Sequence, residues 1–177
     1  MSKNFSYTIK EGEHKGKTLW SGRYCAVAAF IFCKLPEVGW SVLANQRGEG
    51  TPDYQGYWNC PCGFLEADEN AKQACSRETF EETGVKIPAC MFNFIEAETD
   101  PAICNNGNVT LRHYAVLPYG GIDISVYKRV VLEAGGEKDE VEMIGWIPMN
   151  KIEECDWAFN HLDRIKEVFN KYIQPNE

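Results

Sequence analysis

An α/β fold, with a mixed β-sheet between helices in an α/β/α sandwich, is what this sequence predicts, and three observations carry the prediction. Apolar, β-branched and aromatic runs recur along the chain at strand length. One strongly helical stretch interrupts them between residues 69 and 84, and a second, amphipathic one closes the chain. No internal repeat, low-complexity tract or interdomain linker breaks this order. Strands arranged around one internal helix, with another helix at the end, place helices on both faces of a sheet. A single domain over residues 1–177 is therefore expected.

Taken in order, Tyr7-Thr8-Ile9 offers one short strand ahead of a polar link. Arg23 to Lys34 (RYCAVAAFIFCK) is nearly continuously apolar, which suits a central strand buried on both faces. Pro36 and Gly39 mark a turn, and Trp40 to Arg47 alternates as a paired strand. Residues 48–57 form a turn-rich loop carrying Tyr54 and Tyr57. Trp58 to Glu66 leads into the helix, whose expected start is Asp68 or Glu69 and whose left-handed stop is Gly84. Ala89 to Glu98 and Val109 to Leu117 read as further strands, followed by one near Ser125 to Glu133 and one from Val141 to Ile147, which Pro148 ends. Trp157, Leu162, Ile165, Phe169 and Ile173 then recur at helical spacing, and His161 among them reads as a packed or surface histidine.

Composition narrows the function classes. A net charge of −8 argues against a broad nucleic-acid surface or an anionic membrane as partner. It leaves a phosphorylated small molecule open, because a bound cation reverses the local sign. The N-terminus lacks the apolar core of a signal peptide, and no window approaches the roughly 18 apolar residues of a membrane-spanning helix. A cytoplasmic location with reduced, mostly buried thiols is expected for the eight cysteines. Cys60-Pro-Cys62 is the one tight pair, and it lacks the spacing of a zinc site.

The chemistry is concentrated in one helix. Glu78, Glu81 and Glu82 stand at i, i+3 and i+4, on one arc of roughly 100° that also carries Ala71, Ala74 and Cys75. Like charges at these spacings repel by about 0.2–0.5 kcal/mol per pair. Negative charge in the last turn also opposes the helix dipole by roughly 0.3–1 kcal/mol. An oxygen-seeking divalent cation, Mg²⁺ or Mn²⁺, would remove both costs. A plain charged helix end, offset by Arg77 and Lys86, is the alternative.

The wider spacing separates the two. Gly63, Glu69, Arg77-Glu78, Glu81-Glu82, Gly84 and apolar Val85 fall at G-x5-E-x7-R-E-U-x-E-E-x-G-U, where U is apolar. Seven fixed identities at these spacings arise by chance on the order of once per million chains of this length. The sequence therefore resembles the Nudix hydrolase family. Asn45-Gln46-Arg47, the run from Trp58 to Glu66, and Gly145-Trp146-Ile147-Pro148 are similar to the segments that flank the family's box. Two positions depart from the pattern. Thr79 stands where the family has an apolar residue, with Phe80 beside it, so a slight rotation of the helix is expected. Cys62 stands where a second glycine is common, and its backbone carbonyl could still face a metal.

The resemblance implies roles and a reaction. Glu78 and Glu82 become metal ligands, Glu81 a ligand or a more distant partner, and Mg²⁺ or Mn²⁺ the cofactor. Arg77 pairs with Glu69 to hold the loop against the helix, or with Glu81 in an ordinary i,i+4 pair. Gly63 and Gly84 serve backbone conformation. The general base is a box glutamate such as Glu81 or a late-loop acid among Glu137, Asp139, Glu140 and Glu142, with Glu140 preferred for its place at a loop-to-strand junction. Arg47 and Arg23 are candidates to neutralise a diphosphate, and Tyr54, Tyr57 or Phe94 to stack on a base. Pro101, sixteen residues after Val85, resembles the ADP-ribose pyrophosphatase subgroup. The implied substrate is a nucleoside diphosphate linked to a further group, a sugar nucleotide such as ADP-ribose, acted on by a monomer or a homodimer. The alternatives are a nucleoside triphosphate house-cleaning pyrophosphohydrolase and a nucleotide-sensing domain that does not cleave.

Overall fold

The computed structural model describes residues 6–20, 22–104, 108–118 and 139–176. The element order is β1 (Ser6–Thr8), β2 (Thr18–Trp20), β3 (Cys25–Leu35), β4 (Gly39–Arg47), β5 (Trp58–Asn59), β6 (Cys62–Phe64), α1 (Ala71–Thr83), β7 (Asn93–Glu98), β8 (Val109–Leu117), β9 (Val141–Pro148) and α2 (His161–Val168). The strand expected near Ser125 to Glu133 and the acid Glu137 lie outside the described residues.

A seven-stranded sheet runs β5-β4-β3-β8-β7, with β6 also on β3 and β9 also on β4. The β3–β8 pair is parallel and the others are antiparallel, so the sheet is mixed as the sequence predicts. The separate pair β1–β2 forms a small hairpin. β3 is buried on both faces because its apolar run serves two cores. Val27, Ala29, Ile31 and Cys33 pack with Ala74 and Cys75 of α1. Ala28, Phe30 and Phe32 pack with Ile165 and Val168 of α2. Each large apolar side chain buried this way contributes about 1.5–3 kcal/mol. The two helices therefore sit on opposite faces.

Three elements differ from expectation. α1 begins at Ala71 rather than at Asp68 or Glu69. Asn70 caps it by accepting from the N–H groups of Lys72 and Gln73, while the Gln73 side chain accepts from the Asn70 N–H, a complete capping box. Residues 89–91 form a short 3₁₀ turn ahead of β7 instead of its first residues. Trp157 precedes α2, and its indole N–H donates to the Ile152 carbonyl at 2.7 Å. The last turn after Val168 widens into a π-type segment, Phe169–Ile173. All eight cysteines are free thiols. Among the described residues no helix is long and apolar enough to cross a membrane.

Candidate active site

α1 ends in a left-handed residue, Gly84, at φ 71°, which fixes where the last-turn glutamates leave the helix. At this position α1 buries Thr79 rather than the neighbouring Phe80. The threonine is fully buried beside Ala74 and Cys75, and its hydroxyl donates to the Cys75 carbonyl one turn back at 2.6 Å. The local bond offsets the cost of burying the hydroxyl, which lets a threonine occupy this buried position.

The register of β6 explains Gly63. Cys62 pairs with Ala28 and Gly63 with Val27. Gly63 thus lies on the α1 face, where a methyl group would run into the Glu78 carboxylate. Gly63 provides space rather than an unusual backbone angle, a correction to the conformational role expected of it. Gly63→Ala should displace that carboxylate, lowering turnover by about 100-fold while costing about 1–3 kcal/mol of stability. Turnover within threefold of the parent would exclude this role.

Arg77 makes both of the pairs that the sequence leaves as alternatives. It donates to Glu69 through Nε at 3.1 Å and Nη2 at 2.5 Å, and to the Phe64 carbonyl at 2.9 Å. Through Nη1 it reaches Glu78 at 2.8 Å and Glu81 at 2.9 Å. The same guanidinium leaves its partners with opposite shifts. Its hydrogen bonds hold the Glu69 carboxyl below the usual range. Burial outweighs its effect at Glu78, which is pushed up. Glu82 is pushed up further, by burial first and then by the neighbouring Glu78. It accepts the Cys62 N–H at 3.2 Å, and the Asn45 amide, oriented to satisfy its neighbours, donates to it at 3.1 Å. Among the described residues Glu82 forms no ion pair; the charge of Arg47 offsets only part of the cost of burying the carboxylate.

These groups open into one cleft of about 510 Å³ at the end of the sheet. Glu78, Glu81, Glu82 and Glu140 line it, together with Arg47 and Cys62. The loop after β4 is laced to the segment bearing Glu140. The Gly48 N–H donates to the Glu140 carbonyl and the Gly50 N–H to the Asp139 carbonyl, each at 2.8 Å. A side chain at Gly48 would collide with the Asp139 backbone.

The NUDIX domain family model matches residues 26–168, from the second residue of β3 to the end of α2. The chain belongs to the Nudix family. Among solved structures it is similar to the NUDIX domain of Shewanella oneidensis NrtR complexed with ADP ribose, at 22% identity and TM-score 0.67 over 85% of this chain and 89% of that one. It is also similar to a MutT/nudix family protein from Listeria innocua, at 24% identity and TM-score 0.65 over 88% and 98% of the two chains. A third is a bifunctional NMN adenylyltransferase/ADP ribose pyrophosphatase from Francisella tularensis, complexed with AMP and a Mn ion. There the identity is 19%, the TM-score 0.55, and the coverage 85% of this chain but 42% of that one. At these identities the likeness establishes the fold. With the family and every charged box position in place, the chain is a Nudix hydrolase.

The Nudix box fits a hard divalent cation. Its donors are carboxylate oxygens facing one cleft, Glu78 and Glu82 among them desolvated, and among the described residues no ion pair engages Glu82. The carboxylates contact Arg77 and the Cys62 N–H, and among the described residues no three His, Cys, Asp or Glu side chains gather at ligand spacing. Cys62 supplies no thiolate, because burial and the adjacent Glu82 raise its thiol pKa.

Outside the box the sequence is a weaker guide. Arg47 lines the cleft, held by the Asp53 carboxylate at 2.6 Å and lying 5.2 Å from the Phe159 ring centre. Arg23 does not line it; its guanidinium joins the carbonyls of Thr99 and Asn108. Tyr57 and Phe94 lie outside the lining as well, Phe94 against His113 and Tyr57 against Tyr54. Sequence reasoning missed Arg112, Phe159 and Asn160, and read His161 as a packed or surface histidine, although all four line the cleft.

Proposed function

We propose that this Nudix hydrolase cleaves the phosphoanhydride of a nucleoside diphosphate linked to a further group, with Mg²⁺ or Mn²⁺ held by Glu78 and Glu82 and completed by Glu81 or the Cys62 carbonyl. The observation that carries the reading is the pairing of desolvated Glu78 and Glu82 on one wall of a cleft large enough for a nucleotide. When bound, the ion neutralises the non-bridging phosphate oxygens against which the developing charge accumulates. Arg77 and Glu69 fix the box loop against α1, and Arg47 faces the diphosphate.

A water attacks one phosphorus, the bridging P–O bond breaks, and two phosphorylated products leave. The water's proton passes to a carboxylate. Glu140 leads for this role because Arg77 holds the Glu81 carboxylate, whereas the Glu140 side chain has no protein partner among the described residues. Glu140→Gln should lower kcat by about 10²–10³-fold with KM little changed. The same loss from Glu81→Gln, with Glu140→Gln active, would transfer the role to Glu81.

Sugar nucleotides such as ADP-ribose lead as substrates, supported by the ADP ribose and the pyrophosphatase activity named for two structures of the same fold. A substrate panel with Mg²⁺ and Mn²⁺ tests this reading. Monophosphate products from sugar nucleotides support it, and pyrophosphate release from triphosphates alone overturns it. A second reading, nucleotide sensing without cleavage, draws on the likeness to NrtR, a protein also solved with a 27mer DNA. Nucleotide binding without turnover of any panel member would select it.

A further inference from the structure

The cleft has a second wall that the carboxylate chemistry does not use. Arg112 on β8 is 4% exposed and His161 at the start of α2 is 6% exposed, and both line the cleft. Arg112 directs Nη1 at Glu96, 2.5 Å away, and at Glu98, 3.4 Å away. Its Nε and Nη2 have no acceptor among the described residues. His161 accepts the Cys60 N–H at Nδ1 over 3.0 Å. This bond assigns the proton of a neutral imidazole to Nε2, a donor that also has no acceptor among the described residues. Burial first, then the charges of Arg112 and Arg47, holds the His161 pKa down at about 3, so the ring stays neutral around pH 7. The fully buried side-chain atoms without partners among the described residues are Asn59 Oδ1 and Arg164 Nε. The unpaired donors of Arg112 and His161 therefore meet solvent, and for side chains so deeply buried that solvent is in the cleft.

Charge balance decides what these donors suit. Arg112 and Arg164 face Glu96 and Glu98, with Arg164 3.9 Å from each carboxylate. Arg47 is paired with Asp53. The wall thus offers N–H groups with little unbalanced charge, which matches an uncharged acceptor better than a further phosphate. Phe159 adds an aromatic surface to the same wall, its ring centre 4.9 Å from that of Tyr54. Arg112 pairs with Ala28 on the α2 face of the sheet, whereas Gly63 meets Glu78 on the α1 face.

We infer that Arg112 and His161 form a donor-only subsite that reads the ring-nitrogen or carbonyl edge of the substrate's nucleobase, with Phe159 packing on the base. The inference rests on the reading of the cleft as a nucleotide hydrolase site and names the element that sets its specificity. Base and diphosphate then lie on opposite sides of the β3 end.

Two near-isosteres of the imidazole separate reading from packing. Asparagine at 161 can accept the Cys60 N–H as Nδ1 does but lacks a donor at the Nε2 position. Glutamine places an amide donor there. Calorimetric binding of the four nucleoside 5′-monophosphates and of ribose 5-phosphate is compared, with Tm, for the parent, His161→Asn and His161→Gln. His161→Asn should keep its Tm and weaken the tightest-binding nucleoside monophosphate about tenfold, while His161→Gln stays within about threefold of the parent. Ribose 5-phosphate should bind all three alike. Equal weakening of ribose 5-phosphate overturns the inference, as does parent-like nucleotide binding by His161→Asn, or a parent protein that binds no nucleoside monophosphate. If either variant fails to fold, Phe159→Leu provides the same contrast, and its failure to weaken nucleotide relative to ribose 5-phosphate is equally decisive. Turnover of the substrate panel by the parent reports separately on the hydrolase reading.

Discussion

Glu82→Gln should lower turnover by roughly 10³-fold while leaving the fold intact. The expectation rests on a separation of roles within one side chain. As a carboxylate, Glu82 supplies charge to a cation whose stabilisation of the transition state amounts to several kcal/mol, and each 1.36 kcal/mol is tenfold in rate. As a structural group it accepts from the Cys62 N–H and the Asn45 amide. Glutamine has the same volume and retains an acceptor oxygen. Removing an unpaired buried charge is neutral or stabilising when its hydrogen bonds survive. In metal-free buffer the variant's Tm should therefore equal or exceed that of the parent, and the rise in Tm on adding Mg²⁺ should shrink. Thermal melts with and without Mg²⁺, run beside the rate assay, check both halves. A variant that keeps its Mg²⁺ shift and turns over within tenfold of the parent would remove Glu82 from the ligand set.

The parts of this site that were legible in the sequence are those whose geometry is local. Glu69, Arg77, Glu78, Glu81 and Glu82 act through one loop and one helix, so spacing alone brings them together. β3 was also legible, because burial on both faces leaves a continuous apolar run. Thr79 looked like a defect because its polarity is visible in the sequence and its bond to the Cys75 carbonyl is not. The Asn70–Gln73 box was available to be read, but Asp68 and Glu69 stand just ahead and Glu69 is committed to Arg77. The second wall of the cleft depends on long-range pairing. Arg112 arrives through the parallel register of β8 on β3, and His161 through a bond to Cys60, 101 residues away. No local periodicity encodes such contacts, whereas an alternation that leaves an arginine on a buried strand face is a signal that could have found Arg112.

Arg77→Ala should be the most destabilising change in the box, costing roughly 2–4 kcal/mol, about 1 kcal/mol below the range for breaking a fully buried ion pair because the arginine is itself partly exposed. The loss is large because one guanidinium serves Glu69, Glu78, Glu81 and the Phe64 carbonyl together. At about 2–4 °C per kcal/mol for a domain of this size, Tm should fall by roughly 5–15 °C. Arg77→Lys should recover only part of this, since one ammonium cannot span both the loop carboxylate and the helix carboxylates. The pH dependence identifies the partner that matters. The folded Glu69 pKa lies below its ordinary 4.5, so its contribution is present above about that pH and is lost as pH falls through the folded value. The stability gap between parent and Arg77→Ala should accordingly narrow below pH 4.5. Glu78 cannot give this signature, because burial raises its pKa despite the same arginine. Mg²⁺ should restore part of the variant's lost stability, since a cation among Glu78, Glu81 and Glu82 offsets the repulsion that Arg77 otherwise relieves. A Tm within 2 °C of the parent, or a gap constant from pH 7 to pH 3, would show that the loop is held by something other than this arginine.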